Sequence, residues 1–216
     1  SLSFTSASIP STLFSNTSTG NLNINTTDPN CWYLNGNASQ FTTVGVDYAG
    51  DVRSQLVTTG TTDIGSDEFT PGITSPTISF PVVLGVNNLS IGGRPIGVLN
   101  VVNTGGGTWT SIDLQYFGGV NPPGAPGGSH YGNGYAVLTP NVGAAGFTYD
   151  VSFYYVDEIL GNIAAELNIR LAKSDDAGTT WIPYLTEGTG PGQYQLDMVN
   201  NIVTVFGLTS FSTFAL

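Results

Sequence analysis

Ser111-Ile112-Asp113-Leu114-Gln115-Tyr116-Phe117 decides the fold class, because Ile112, Leu114 and Tyr116 alternate with Ser111, Asp113 and Gln115. Successive side chains of an extended chain point to opposite faces, so a period of two sets one apolar face against a core and one polar face outward. Tyr149-Asp150-Val151-Ser152-Phe153-Tyr154-Tyr155 repeats the pattern with Val151, Phe153 and Tyr155. Working outward, Thr77–Phe80, Leu99–Val102, Tyr135–Thr139, Asn168–Ala172, Tyr194–Val199 and Ile202–Phe206 read as further strands. Gly, Pro, Asn and Ser separate them at the spacing of an antiparallel β-sandwich over residues 73–216. Helix signals are nearly absent: Asp157–Ala165 reads as at most a turn or two, weakened by Gly161.

Upstream the chain changes style. A linker is expected near Thr70-Pro71-Gly72-Ile73-Thr74-Ser75-Pro76. Residues 1–72 are dense in Thr, Asn, Ser and Gly, with hydrophobic islands at Leu13-Phe14, Leu22–Ile24, Trp32–Leu34, Val44–Val46 and Leu56-Val57. Islands recurring about every ten residues suit short strands joined by polar corners, as in a β-solenoid whose coils stack on one another. The expectation is an all-β chain: a short β-solenoid, the end of a parallel β-helix, over 1–72, followed by the antiparallel β-sandwich. The open end of such a solenoid leaves backbone groups and apolar islands uncovered, which predicts self-association or upstream β-helix coils as partners.

Asp63-Ile64-Gly65-Ser66-Asp67-Glu68-Phe69 resembles the Asp-Ile-Gly-Ala-Tyr/His-Glu-Phe segment that closes many bacterial right-handed parallel β-helix domains. Thr12–Ile24 looks like the last regular coil of that family. Asp47-Tyr48-Ala49-Gly50-Asp51-Val52-Arg53 looks like its Asp-Gly-Asn-Pro-Arg stretch, from which Ala49 and Val52 depart. The second part is similar to a recurrent carboxyl-terminal β-sandwich of secreted bacterial surface proteins, through Tyr131–Tyr135 with Leu138-Thr139-Pro140, Phe153–Leu160, Leu167–Leu171 and Gly207–Leu216. The resemblance implies a non-catalytic stalk, spacer, anchoring or adhesive module of a cell-surface protein, with a self-assembling extracellular filament subunit as one form. The alternative is a carbohydrate-binding accessory module, or the carboxyl-terminal part of a polysaccharide-active β-helix enzyme. A start at Ser1 is read as a processed terminus or the interior of a longer precursor, and cleavage after Leu216 is expected.

Charge excludes one class of function. Lys and Arg total 4 against 15 Asp and Glu, a net charge of −11, and charged residues make up only 9% of the chain. Four cations cannot build a basic face, so no nucleic-acid partner is expected. Solubility falls instead to Thr, Ser, Asn and Gly, a composition of secreted β proteins, and an extracellular location is expected. No window approaches the roughly 18 apolar residues of a membrane-spanning helix, so no transmembrane segment is expected. Cys31, the only cysteine, has no internal disulfide partner, and its neighbours Trp32 and Tyr33 argue for burial.

Ser174-Asp175-Asp176-Ala177-Gly178-Thr179-Thr180-Trp181 matches the Asp-box pattern Ser-x-Asp-x-Gly-x-Thr-Trp, found in sialidase-like propellers and other β proteins. The Asp accepts turn amides, the Gly relaxes the backbone and the Trp packs beneath, so the box builds a hairpin rather than an active site. A single copy, with Arg53, Arg94 and Arg170 on unlike segments, does not carry sialidase chemistry. The adjacent acids Asp67-Glu68, Asp157-Glu158 and Asp175-Asp176 point to opposite faces of an extended chain and read as turn acids, weak calcium binding being the other reading. His130, the only histidine, lies in the Gly/Pro-rich loop Pro122–Gly132 and makes neither a zinc site nor a dyad with Cys31. Gly105-Gly106-Gly107 lacks a following Lys-Ser/Thr and reads as a turn before Trp109. No catalytic, cofactor-binding or metal-ligating residue is assigned, and the chain is read as not an enzyme. Trp109, Tyr131 and Tyr135 are the aromatics that suggest a glycan or surface partner.

Overall fold

A computed structural model describes residues 11–28, 30–35, 38, 43–53, 62–65, 67–69, 77–91, 94–105, 110–118, 121–125, 130–132, 134–141, 146–155 and 160–216. Within them the protein is all-β and its sheets are antiparallel. The first part contributes the hairpin of β1 (Phe14–Asn16) and β2 (Asn21–Ile24), and α1 (Cys31–Leu34), a single turn. Then follow β3 (Thr77–Pro81), β4 (Gly85–Ile91), β5 (Arg94–Asn103), β6 (Ser111–Gly118), β7 (Gly134–Pro140) and β8 (Thr148–Tyr154). Last come β9 (Ala172–Ser174), β10 (Ile182–Pro183), β11 (Tyr194–Asp197), β12 (Ile202–Leu208) and β13 (Thr213–Ala215). One sheet has the order β10-β9-β13-β7-β6-β3 and the other β11-β12-β8-β5-β4.

The period-two pattern acts as expected. Ile112 and Leu114 of β6 are buried, and Leu114 pairs with buried Leu138 of β7. Val151, at the centre of the second sheet, stands between Leu99 of β5 and Val205 of β12, all fully buried. Phe153 of β8 meets Phe214 of β13 across the sheets, ring centroids 5.7 Å apart, so the inner faces of the two sheets share one core. Each such buried side chain contributes about 1.5–3 kcal/mol, which favours the register that keeps the apolar face inside. At one end Tyr149 stacks on Phe211 with centroids 4.5 Å apart, and its buried hydroxyl donates to the Ser210 carbonyl at 2.8 Å.

Several elements depart from the sequence reading. Strand β9 starts only at Ala172, because Glu166–Asn168 form a 3-10 turn and Arg170 Nη1 donates to the carbonyls of Leu167 and Ile169, acceptors that a strand ladder would use. Strand β4 was hidden by Asn87 and Asn88; Asn87 is buried because its amide donates to the carbonyls of Val83, Gly85 and Leu99. Strands β10 and β13 are too short to show a period. Residues 160–165 form no helix, and Asp157-Glu158, Trp109 and the linker at 70–76 lie outside the described residues.

No parallel solenoid coil forms among the described residues of 1–72. Thr12–Ile24 folds back on itself instead: Gly20, at φ +76, takes the turn, Phe14 pairs with Ile24, and Asn25 N–H donates to the Leu13 carbonyl. The isolated bridges Ala38–Thr62 and Val46–Val52 are antiparallel too. Cys31 is fully buried in the core that includes Leu13, Ile24 and Leu34. The buried Asn35 amide donates to the Gly118 carbonyl at the end of β6, 2.9 Å away, tying the first part to the second.

Candidate functional site

A cleft of about 400 Å³ opens where the Asp-box hairpin, the Pro122–Ala125 loop and the end of β13 meet. The Asp box builds one wall. Asp176 Oδ1 accepts the Ser174 hydroxyl and the Thr180 N–H, each at 2.8 Å, while Gly178 N–H donates to Ser174 Oγ at 2.7 Å. Ala177 and Gly178 take left-handed φ of +56 and +92, which returns the chain to β10, paired with β9 through Ile182 and Lys173. Trp181 follows directly, and its indole N–H donates to the Pro123 carbonyl at 2.9 Å. The indole is thereby tied between the hairpin and the loop, and Trp181 lines the cleft.

The two acids of the box have separate tasks. The Thr180 N–H and then the Ser174 hydroxyl hold the Asp176 carboxyl below its ordinary range. Asp175 is lowered chiefly by Lys173, whose buried ammonium lies 2.6 Å away. Lys173 also donates to Ser210 Oγ at 2.5 Å, so the base of the hairpin is joined to the segment leading into β13.

On the opposite side Asn162 sets two residues. Its carbonyl lies 2.7 Å from His130 Nδ1, and its side-chain oxygen accepts the Tyr131 N–H at 2.6 Å. A carbonyl can only accept, so Nδ1 carries a hydrogen, and Nε2 has no partner among the described residues. Arg170 lies at the same cleft, its Nη1 donating to Leu167 and Ile169 carbonyls at 2.9 and 2.7 Å and its Cζ standing 4.4 Å from the Tyr194 ring centroid. Apolar atoms of Pro122, Ala125, Ile163, Ala164 and Pro183 supply much of the remaining lining. A mostly apolar cleft with a few directed polar groups has the make-up of a small-ligand site, and its volume falls in the usual range of roughly 300–1,000 Å³.

Of the aromatics read from the sequence, Tyr131 lines this cleft. Tyr135 stacks on Phe117, centroids 4.3 Å apart, and lines a separate, smaller hollow. Sequence reasoning assigned Trp181 to packing alone and set Arg170 aside as scattered. The Asp box was the available signal for Trp181, since its turn delivers the Trp at a set place. Arg170 had none, because its partners are backbone carbonyls.

The paired acids of the first part hold turns and a clamp. Asp47 Oδ2 accepts the Glu68 N–H at 2.7 Å, Asp63 Oδ2 the Phe69 N–H at 2.8 Å, and Asp67 Oδ2 the Ile24 N–H at 2.7 Å. Arg53 Nη1 lies 3.7 Å from Glu68, and its Nη2 donates to the Gly65 carbonyl. The motif segments Asp47–Arg53 and Asp63–Phe69 are thus bound to each other. Burial pushes the Glu68 carboxyl up. Burial, then Asp28 and Asp63, pushes the Cys31 thiol to about 11. Among the described residues no group of three or more His, Cys, Asp and Glu is placed to hold a metal ion, and no helix is long and apolar enough to cross a membrane.

No protein-family model matches the chain, and neither a curated protein nor a solved structure matches it.

Proposed function

We propose that this chain is a non-catalytic structural and adhesive module of a secreted bacterial cell-surface protein. One observation carries the reading: Asp28, Asp47, Asp63, Asp67, Asp150, Asp176 and Asp197 each accept a backbone N–H. These carboxylates are therefore engaged by backbone amides in turns and between distant segments, whereas glycoside hydrolysis needs two of them converging on one bond. Two sheets on a shared core support the β-sandwich part, and the clamp between Asp47–Arg53 and Asp63–Phe69 supports residues 1–72 as the cap of a β-helix end. The filament form draws support from edge strand β4, where Val86 is 64% exposed and shares its outward face with exposed Val102 of β5. The carbohydrate-binding reading is favoured by a different observation, the placement of Trp181 and Tyr131 on one cleft.

Incubation with plant and bacterial polysaccharides tests the main reading, with reducing ends and retention on the immobilised protein measured together. Retention without new reducing ends is the expected result. Release of reducing ends that stops when a single Asp or Glu is replaced would overturn it. Negative-stain electron microscopy of native material separates a filament subunit from a monomeric module.

A further inference from the structure

We infer that the cleft binds a saccharide unit bearing a carboxylate, its acid held by Arg170 and the apolar face of its ring lying against Trp181. The inference rests on the carbohydrate-binding reading of this cleft and names the class of sugar.

Arg170 is one of only 4 cations in a chain of net charge −11. Arg53 and Lys173 each lie beside a carboxylate, at 3.7 and 2.6 Å. Arg170 has none among the described residues. Its guanidinium is nonetheless held in place, by two carbonyls on Nη1 and by the Tyr194 ring against Cζ. The N–H groups on Nε and Nη2 have no partner among the described residues. A fixed guanidinium with donors to spare matches the two oxygens of a carboxylate, and being held already it loses little entropy when that bond forms. Among the described residues no Asp or Glu side chain lines the cleft.

His130, Tyr131 and Asn168 add polar groups to the lining, as a sugar's hydroxyls require. His130 Nε2 has no partner among the described residues and is free to meet a hydroxyl. Trp181 is fixed by its bond to Pro123 and offers a flat apolar surface, which suits the C–H face of a pyranose. A peptide strand is the poorer occupant. Strand β9 beneath the cleft is paired on both sides, by β10 and β13, and the edge strand β10 is two residues long and ends in Pro183, which has no N–H to donate.

Isothermal titration calorimetry with trigalacturonate and with its carboxyl-reduced neutral counterpart tests this, on the full chain and on Arg170→Gln, Arg170→Lys and Trp181→Phe. The acidic trisaccharide is expected to bind roughly tenfold or more tightly than the neutral one. Arg170→Gln is expected to abolish that ratio and Arg170→Lys to reduce it, while Trp181→Phe weakens both ligands together. Equal binding of the two ligands, lost in Trp181→Phe, overturns the carboxylate inference and leaves the glycan site standing. No binding of either ligand at millimolar concentration overturns both. Should Arg170→Gln fail to fold, the Trp181 indole N–H resonance of the unaltered protein serves instead: trigalacturonate must shift it, and binding without that shift overturns the inference.

Discussion

Gly178 lies so close to Pro123 that a Cβ at Gly178 would stand 2.9 Å from the Pro123 carbonyl oxygen and nearer still to its ring. The same carbonyl accepts the Trp181 indole N–H, so one residue of the Pro122–Ala125 loop holds both the Asp-box turn and the wall of the cleft. Gly124 presses back in turn, since a Cβ there would meet the Gly178 carbonyl. Hairpin and loop therefore behave as one unit.

Gly178→Ala combines a left-handed φ of +92 with that collision and is expected to cost about 2–4 kcal/mol. In a chain of this size that is a fall of roughly 5–15 °C in Tm by thermal denaturation. Ala177→Gly next door, at φ +56, removes strain instead and is expected to be neutral or to gain up to about 1 kcal/mol. An unchanged Tm for Gly178→Ala would show that the loop does not hold the turn.

Stability is expected to fall in acid. Asp28, Asp47, Asp175, Asp176 and Asp197 are all held below their ordinary 3.8. For Asp47, burial pulls the other way, but the N–H groups of Glu68, Asp51 and Gly50 together outweigh it. A carboxyl lowered in the folded state stabilises it above the unfolded pKa, and that contribution disappears as pH falls through the folded value. Glu68 runs in the opposite sense: raised above 4.5, it contributes fully below that pH and loses its contribution as pH rises through the folded value. With five groups against one, urea midpoints measured between about pH 2 and 7 should drop below about pH 4. Asp47→Asn should unfold at lower urea at neutral pH and show a shallower acid limb. An acid limb that Asp47→Asn leaves unchanged contradicts the assignment.

Cys31 is expected to be silent in the folded protein. Its thiol is fully buried and titrates at about 11, against an ordinary 9.0. At pH 8 that difference alone lowers the thiolate fraction about a hundredfold, before the barrier of burial is counted. Ellman's reagent should therefore find no thiol in native protein and one in urea. Rapid reaction of the native thiol would place Cys31 at a surface.

The amino-acid sequence by itself determined the all-β class and the face that each long strand buries. Ile112 and Leu114, Val151 and Phe153 could go inside only one way, because a strand shifted by one residue would bring its polar set into the core. It also determined the Asp-box turn, whose bonds run between residues within a few positions of each other. Asp176 was legible as a turn acid for the same reason, whereas Asp67 accepts the Ile24 N–H from far along the chain and Asp175 meets Lys173 and Ser212. Only the tertiary structure decided what depends on partners distant in the chain. Asn87 reads as a loop residue until the carbonyls of Val83, Gly85 and Leu99 make it a buried strand residue. The coil expected from Thr12–Ile24 became a hairpin, since islands spaced about ten residues apart fit folding back as well as stacking. The cleft was hidden altogether: Tyr131, Arg170 and Trp181 lie on separate segments, Asn162 and Pro123 tie Tyr131 and Trp181 across the chain, and the neighbouring Leu167 and Ile169 carbonyls set Arg170. Most of those holding atoms belong to the backbone, which is alike at every residue, so no pattern of side chains along the chain could announce them.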